Sequence, residues 1–158
     1  GNTVATSSEI TVLAPPVVHA GRSAADLTEE ATFTGCILAM VLVNDVVRVG
    51  GYLEGELRAR MNIKDRAKDI RMELHSTEKS GDREDESVRE RISLEKDVQL
   101  TSERPYVWAF SLPVPKRTLP TVQNGRTSVA WRLKAVVDTD TANAEYHLER
   151  KVQIFTST

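Results

Sequence analysis

The chain has 158 residues, 28% of them charged, and a formal net charge of −2. That length suits one ordinary domain, large enough to bury about 68–70% of the surface its unfolded form exposes, so neither a disulfide nor a metal is needed to hold a core. The small net charge and the 5% of aromatic residues exclude a global attraction to nucleic acid or anionic membrane, and a stacking platform for single strands.

Residues 1–35 differ from the rest. Ser, Thr, Ala and Gly dominate, with Pro15-Pro16 and Gly21 as breakers. Glu9-Ile10-Thr11-Val12-Leu13 reads as a short strand. Asp26-Leu27-Thr28-Glu29-Glu30-Ala31 reads as a helical turn, with Asp26 as N-cap and Glu29 three residues on. The segment is expected to be a partly ordered arm or linker, and residues 36–158 to form the domain.

The domain opens with the longest apolar run, Cys36–Val43, far short of the ~20 residues a membrane span needs. No integral membrane segment is expected. Cys36 is the single cysteine, so no intramolecular disulfide can form and the chain does not read as a stapled secreted module. Among apolar neighbours, with no histidine or cation nearby, Cys36 is expected to be a buried, inert thiol.

From here the apolar period is 2. Gly50-Gly51 separates Val46–Val49 from a run in which Leu53, Gly55, Leu57, Ala59, Met61 and Ile63 alternate with Glu54, Glu56, Arg58, Arg60, Asn62 and Lys64. Such a run is an extended strand with one apolar and one charged face. Ile70, Met72 and Leu74 alternate with Arg71, Glu73 and His75. After Ser80-Gly81-Asp82 come Val88, Ile92 and Leu94 against Arg89, Arg91, Ser93 and Glu95, with Glu90 out of phase. Glu84–Asp97 fits neither a helix nor a strand perfectly, and strand is the better reading. Tyr106, Trp108, Phe110 and Leu112 share one face of a strand. Val129, Trp131, Leu133, Ala135 and Val137 share one face of another, after Asn124-Gly125. Asp138-Thr139-Asp140 and Asn143 mark the last hairpin, before Tyr146, Leu148, Val152 and Ile154, a series interrupted by Arg150.

About seven to nine strands with one-sided polarity predict an all-β fold, an antiparallel β-sandwich of immunoglobulin-like or arrestin-like type. The second name rests on a resemblance. Val49-Gly50-Gly51-Tyr52-Leu53-Glu54-Gly55-Glu56-Leu57 resembles the Pro-Gly-Glu-x-Val-x-Gly segment of arrestin-fold proteins. Gly50 and Gly55 match its glycines, whereas Val49 and Gly51 replace its proline and glutamate. Phe110-Ser111-Leu112-Pro113, then Leu119-Pro120-Thr121, then Ala130-Trp131-Arg132-Leu133-Lys134-Ala135 is similar to the family's Phe-x-Leu-Pro strand end, Pro-Ser/Thr loop and Tyr-x-Val-x-Ala strand. Pro113, Pro115 and Pro120 lack amide donors and so stop the ladder. The likeness covers roughly residues 36–155. It implies a single arrestin-like sandwich, similar to the bacterial sporulation-control proteins and the retromer cargo-binding subunits. It implies no phosphate-sensing residues, since none aligns residue by residue.

No motif carries chemistry. His19, His75 and His147 are far apart, without partners at metal-ligand spacing, and the latter two are expected to be exposed bystanders. Asp82, Glu84 and Glu86 alternate like calcium ligands but lack the glycine and closing glutamate of that loop, so a solvated hairpin is expected. There is no Gly-x-Ser-x-Gly elbow and no phosphate-binding loop. Lys116-Arg117 is expected to solubilise a loop, and Trp108 and Trp131 to pack in the core. No catalytic, metal-ligating or cofactor-binding residue is singled out, and no cofactor is expected.

The expectation is therefore a non-catalytic, cytoplasmic protein-protein interaction, scaffold or regulatory module. Its partner would be a protein, or a second copy joined through an edge strand, with no role for nucleic acid. One alternative is a carbohydrate- or cell-surface-binding sandwich of a longer exported protein, for which Tyr52, Tyr106 and Tyr146 are the candidate aromatics. Another is an enzyme with a dispersed site, which would need His75 and His147 together.

Overall fold

Alternation of apolar and polar residues writes strands, and strands fill the structure. The computed structural model describes residues 24–116, 122–124, 127–140 and 145–156. They hold a 3-10 turn, Ala24–Leu27, and ten strands. These are β1 (Thr28–Thr32), β2 (Cys36–Leu42), β3 (Val46–Arg48), β4 (Tyr52–Met61), β5 (Asp65–Ser80), β6 (Arg83–Leu100), β7 (Tyr106–Pro113), β8 (Val122–Asn124), β9 (Thr127–Thr139) and β10 (Glu145–Phe155). Glu9–Leu13 and His19 lie outside the described residues, as do Arg117, Leu119-Pro120-Thr121, Gly125 and Asn143.

Two sheets stack. Sheet I has the order β1-β2-β4-β7; sheet II has β3-β10-β9-β5-β6, with β8 beside β9. All pairs are antiparallel except β3 with β10. β3 belongs to the link between β2 and β4, which leaves sheet I, lies along β10 and returns. Its return is a tight turn in which the Gly51 amide donates to the Arg48 carbonyl (2.8 Å) and Gly50 has φ +81°. A positive φ at that position is the type II pattern, which glycine supplies without steric cost. At the β5–β6 hairpin only Gly81 of the two turn residues has positive φ (+61°), the type II′ pattern.

The core lies between the sheets and includes Leu38, Met40, Leu57, Met72, Trp131 and Leu133, each at most 1% exposed. Cys36 is fully buried there, and loss of solvation pushes its thiol up to about 12. A chromogenic disulfide reagent is thus expected to label Cys36 at the rate of unfolding, whereas fast labelling of the native chain would contradict this packing.

Three local expectations change. The turn foreseen over Asp26–Ala31 stops at Leu27, and Thr28–Thr32 pairs with β2, where ladder bonds outweigh a capped turn. Ile63 falls beyond the end of β4 and is 43% exposed. Val88 turns outward (46% exposed) because β6 slips against β5 at Leu74/His75. That slip puts Arg89 out of register, so Val88 pairs with His75 and Glu90 with Leu74. The misplaced phase of Glu90 in the sequence is the signature of this bulge.

Candidate functional site

A β-sandwich meets other chains most readily at its strand edges, where backbone donors and acceptors lack a neighbour. Among the described residues the edges are β1 and β7 of sheet I, and β3, β6 and β8 of sheet II. Four of them are blunted. β3 and β8 are three residues long. β1 is short and carries Glu29 and Glu30. β6 is long but highly charged, slips register twice against β5 and holds Asp97 at φ +52°. Charges, bulges and shortness are the devices that prevent edge-to-edge pairing.

β7 has none of them. Tyr106-Val107-Trp108-Ala109-Phe110-Ser111-Leu112-Pro113 carries no charge and pairs with β4 from Ala59↔Tyr106 to Tyr52↔Pro113 without a slip. The ladder also fixes which backbone groups face outward. The Val43 amide donates to the Glu54 carbonyl, so Glu54 points to β2 and Gly55 to β7. Backbone direction alternates along a strand. Phe110, opposite Gly55, therefore bonds β4, as does Val114, whose amide reaches the Gly51 carbonyl. Val107, Ala109 and Ser111 turn their N–H and C=O to the free side. Pro113 occupies the same phase, where its missing N–H costs no ladder bond. The three outward residues are exposed, Val107 at 56%.

Beneath this edge lies a ledge. β7 touches both β5 and β6 of the opposite sheet. Sheet I ends at β7, and β6 extends beyond it. Ile92, Leu94 and Val98 on the inner side of β6 are only partly buried, as is Trp108. The Trp108 Nε1 donates to Glu95 Oε1 (2.8 Å) across the gap, and Arg89 lies 5.7 Å from the Trp131 ring centre. Trp131 is core, as expected, whereas Trp108 forms the wall of this mouth. Tyr106 stacks on Trp108 with ring centres 5.8 Å apart, and the Arg104 guanidinium covers Tyr106 at 4.3 Å.

The outer face of sheet II corrects the reading of His75. Its side chain is 12% exposed, with Nε2 2.8 Å from Glu73 and Nδ1 3.1 Å from Glu86. It is therefore no bystander. His147 is exposed and shares this face, but β9 separates β10 from β5, so the two rings do not meet. Glu73 is the centre of the cluster. It is 4% exposed and takes ion pairs from Arg71 (2.6 Å) and Arg91 (3.4 Å). Burial pushes its carboxyl up, but hydrogen bonds from Arg71 and His75 and the Arg71 and Arg91 charges hold it below the ordinary value. A carboxyl lowered by folding adds stability above its unfolded pKa, and that stability is lost as pH falls through the folded value. Unfolding free energy is accordingly expected to fall as pH drops below about 4.3, the ordinary glutamate value, with a shallower fall in Glu73→Gln. Urea titrations at stepped pH check it, and equal slopes would contradict it.

The remaining sequence candidates disperse. Asp82 sits in the hairpin turn, Glu84 lies 4.0 Å from Lys79, and Glu86 serves His75. Among the described residues no group of three or more His, Cys, Asp or Glu could hold a metal ion. Tyr106 is buried and Tyr146 packs on Phe33, so only Tyr52 of the three candidate tyrosines stands exposed. Lys116 is exposed after the end of β7. No helix among the described residues is long and apolar enough to cross a membrane. The β7 edge escapes a reading of the sequence because edge position is a property of topology. Its one signal there is an alternating strand without charge, Tyr106–Pro113.

The two-sheet order and the crossing of β3 make the fold an arrestin-like sandwich. The solved structure of Spo0M, a sporulation control protein from Bacillus subtilis, shares it with a TM-score of 0.68 and 12% identity, over 78% of this chain and 51% of that one. The chain spans about half the length of that protein. No family model matches the sequence, and no curated protein matches it.

Proposed function

We propose that this sandwich is a non-catalytic protein-binding module of regulatory or scaffold type, which takes an extended segment of a partner as a further strand beside β7. The observation that carries the reading is the contrast between the edges. One strand of useful length is free of charge and bulge, and it stands over a partly apolar ledge. Main-chain bonds to Val107, Ala109 and Ser111 would supply affinity, and the ledge specificity. A second copy offering its own β7 is one form such a partner can take. The reading includes a cytoplasmic location, in keeping with a lone thiol.

Ala109→Pro is the test. It removes an outward donor and no bond to β4, so stability is expected to change by less than about 1 kcal/mol. Pull-down from the native host should recover a partner with the parent chain and lose it with the variant. Light scattering on both chains identifies self-association. Equal recovery by the two chains, or none by either with monomers throughout, would contradict the reading.

A further inference from the structure

The inner side of the ledge carries two carboxylates in the place a fifth strand of sheet I would cover, with Arg89 beyond one end of the pair, over Trp131. Glu90 pairs with Leu74, and Glu95 with Ile70, both fully buried core residues. Directly opposed residues share a face, so both carboxylates point inward, towards the mouth. Glu90 is partly buried and has no ion pair among the described residues. Glu95 takes the Trp108 indole N–H and has no cation beside it among the described residues. Of the cations nearest in sequence, Arg89 lies over the core residue Trp131 on the inner side, Arg91 reaches Glu73 on the opposite face of the sheet, and Lys96 pairs with Asp69 on that opposite face.

From these positions we infer that the β7 edge selects a basic extended segment, with Lys or Arg at positions i and i+4 and an apolar residue at i+2. The spacing follows from the ladder. Ile70 and Leu74 are four residues apart on β5, about 13 Å along a strand. Residues of one phase on an added strand recur every second position, so i and i+4 meet the two carboxylates. Position i+2 then falls over Ile92 and Leu94, which lie between them and are partly buried. β6 ends at Leu100 and β7 starts at Tyr106, so the two strands run in opposite directions across the mouth. Glu95 sits by Trp108, and Glu90 lies towards Leu112. The segment thus covers the outward groups of Val107, Ala109 and Ser111 as it spans the two charges. A mouth with two inward carboxylates disfavours acidic segments by the same geometry, since a like charge is repelled by both and loses solvent beside the partly buried Glu90.

The inference rests on the strand-accepting edge of the proposed function, and its test separates the two. The probes are three synthetic peptides, acetyl-Thr-Lys-Thr-Val-Thr-Lys-Thr-amide and its analogues with both lysines replaced by Gln or by Glu. Each is titrated into the isotope-labelled full chain at low salt, with amide shifts of β7 followed. The expected result is movement of the Val107, Ala109 and Ser111 amides and binding of the Lys peptide at least tenfold tighter than the Glu peptide. That preference should weaken in Glu90→Gln and be lost in Glu90→Gln/Glu95→Gln, where the side-chain amide introduced by the second substitution still offers the Trp108 indole an acceptor. Equal binding of all three peptides, or a preference unchanged in the double variant, overturns the charge selection and leaves the edge standing. No shift at the three amides with any peptide overturns both.

Discussion

Arg150→Ala is expected to destabilise the chain by about 3–5 kcal/mol, the loss typical when one partner of a buried ion pair is removed. At this chain length that is about 10 °C or more in Tm. Arg150 occupies an inward position of β10, between Leu148 and Val152, where alternation asks for an apolar residue. Its side chain is 10% exposed, and the Asp45 side chain that it meets at 2.6 Å is 7% exposed. Nη1 donates to the Asp26 carbonyl (3.0 Å) and Nε to the Lys151 carbonyl (3.1 Å). One guanidinium thereby ties the link before β3 and the 3-10 turn before β1 to β10. It closes the sandwich on the side opposite the β7 mouth. Alanine would leave the Asp45 carboxylate buried beside an empty space. The paired replacement Arg150→Met/Asp45→Leu removes both charges and is expected to recover most of the loss. Urea unfolding of the three chains checks this, and a loss below about 1 kcal/mol in Arg150→Ala would show that the pair is not what closes that side.

Gly55→Ala carries the second large effect. In an ordinary strand this change stabilises by about 0.5–1 kcal/mol, because alanine loses less backbone entropy. Here a Cβ would run into the Val41 carbonyl oxygen and the Leu42 Cα of β2, with the Val41 carbonyl carbon close behind. These are backbone atoms at the end of the β2–β4 ladder, and they cannot turn away as a side chain can. The β2–β4 pairing must spread, and the expected cost is about 2–3 kcal/mol. Gly81→Ala is the contrast. A Cβ there meets nothing within 4 Å, and only the positive φ resists it, at about 1–2 kcal/mol. Thermal melts of both variants rank them. A stabilised Gly55→Ala would mean that β2 and β4 lie further apart than the structure has them.

These two residues also show how far the sequence can be read. Gly55 stands out through its spacing from Gly50, and its reason, close approach of a neighbouring strand, appears only when β2 is laid beside it. Arg150 registers as an interruption in an apolar series. Its partners, Asp45 and Asp26, are more than a hundred residues away, and no local pattern points to them. Strand identity is legible because a half-buried strand must alternate, as Val129, Trp131, Leu133, Ala135 and Val137 do, all buried. The bulges of β6 are legible only as noise at Glu90. Alternation misplaces His75 because it assigns the residue to a polar face, and a polar face can still bury a side chain under its neighbours. The β7 edge needs the strand order, since the same eight residues in a central strand would offer no free backbone groups.

An open, regular β7 edge kept for a partner strand is tested most directly by residue-resolved amide exchange of the full chain, alone and with the partner recovered from its host. Alone, Val107, Ala109 and Ser111 should exchange fast while Trp108, Phe110 and Leu112, bonded to β4, stay protected. With the partner bound, the first three should slow to match the second. Uniform protection along β7 in the chain alone, or no slowing with the partner bound, would contradict a strand-accepting edge.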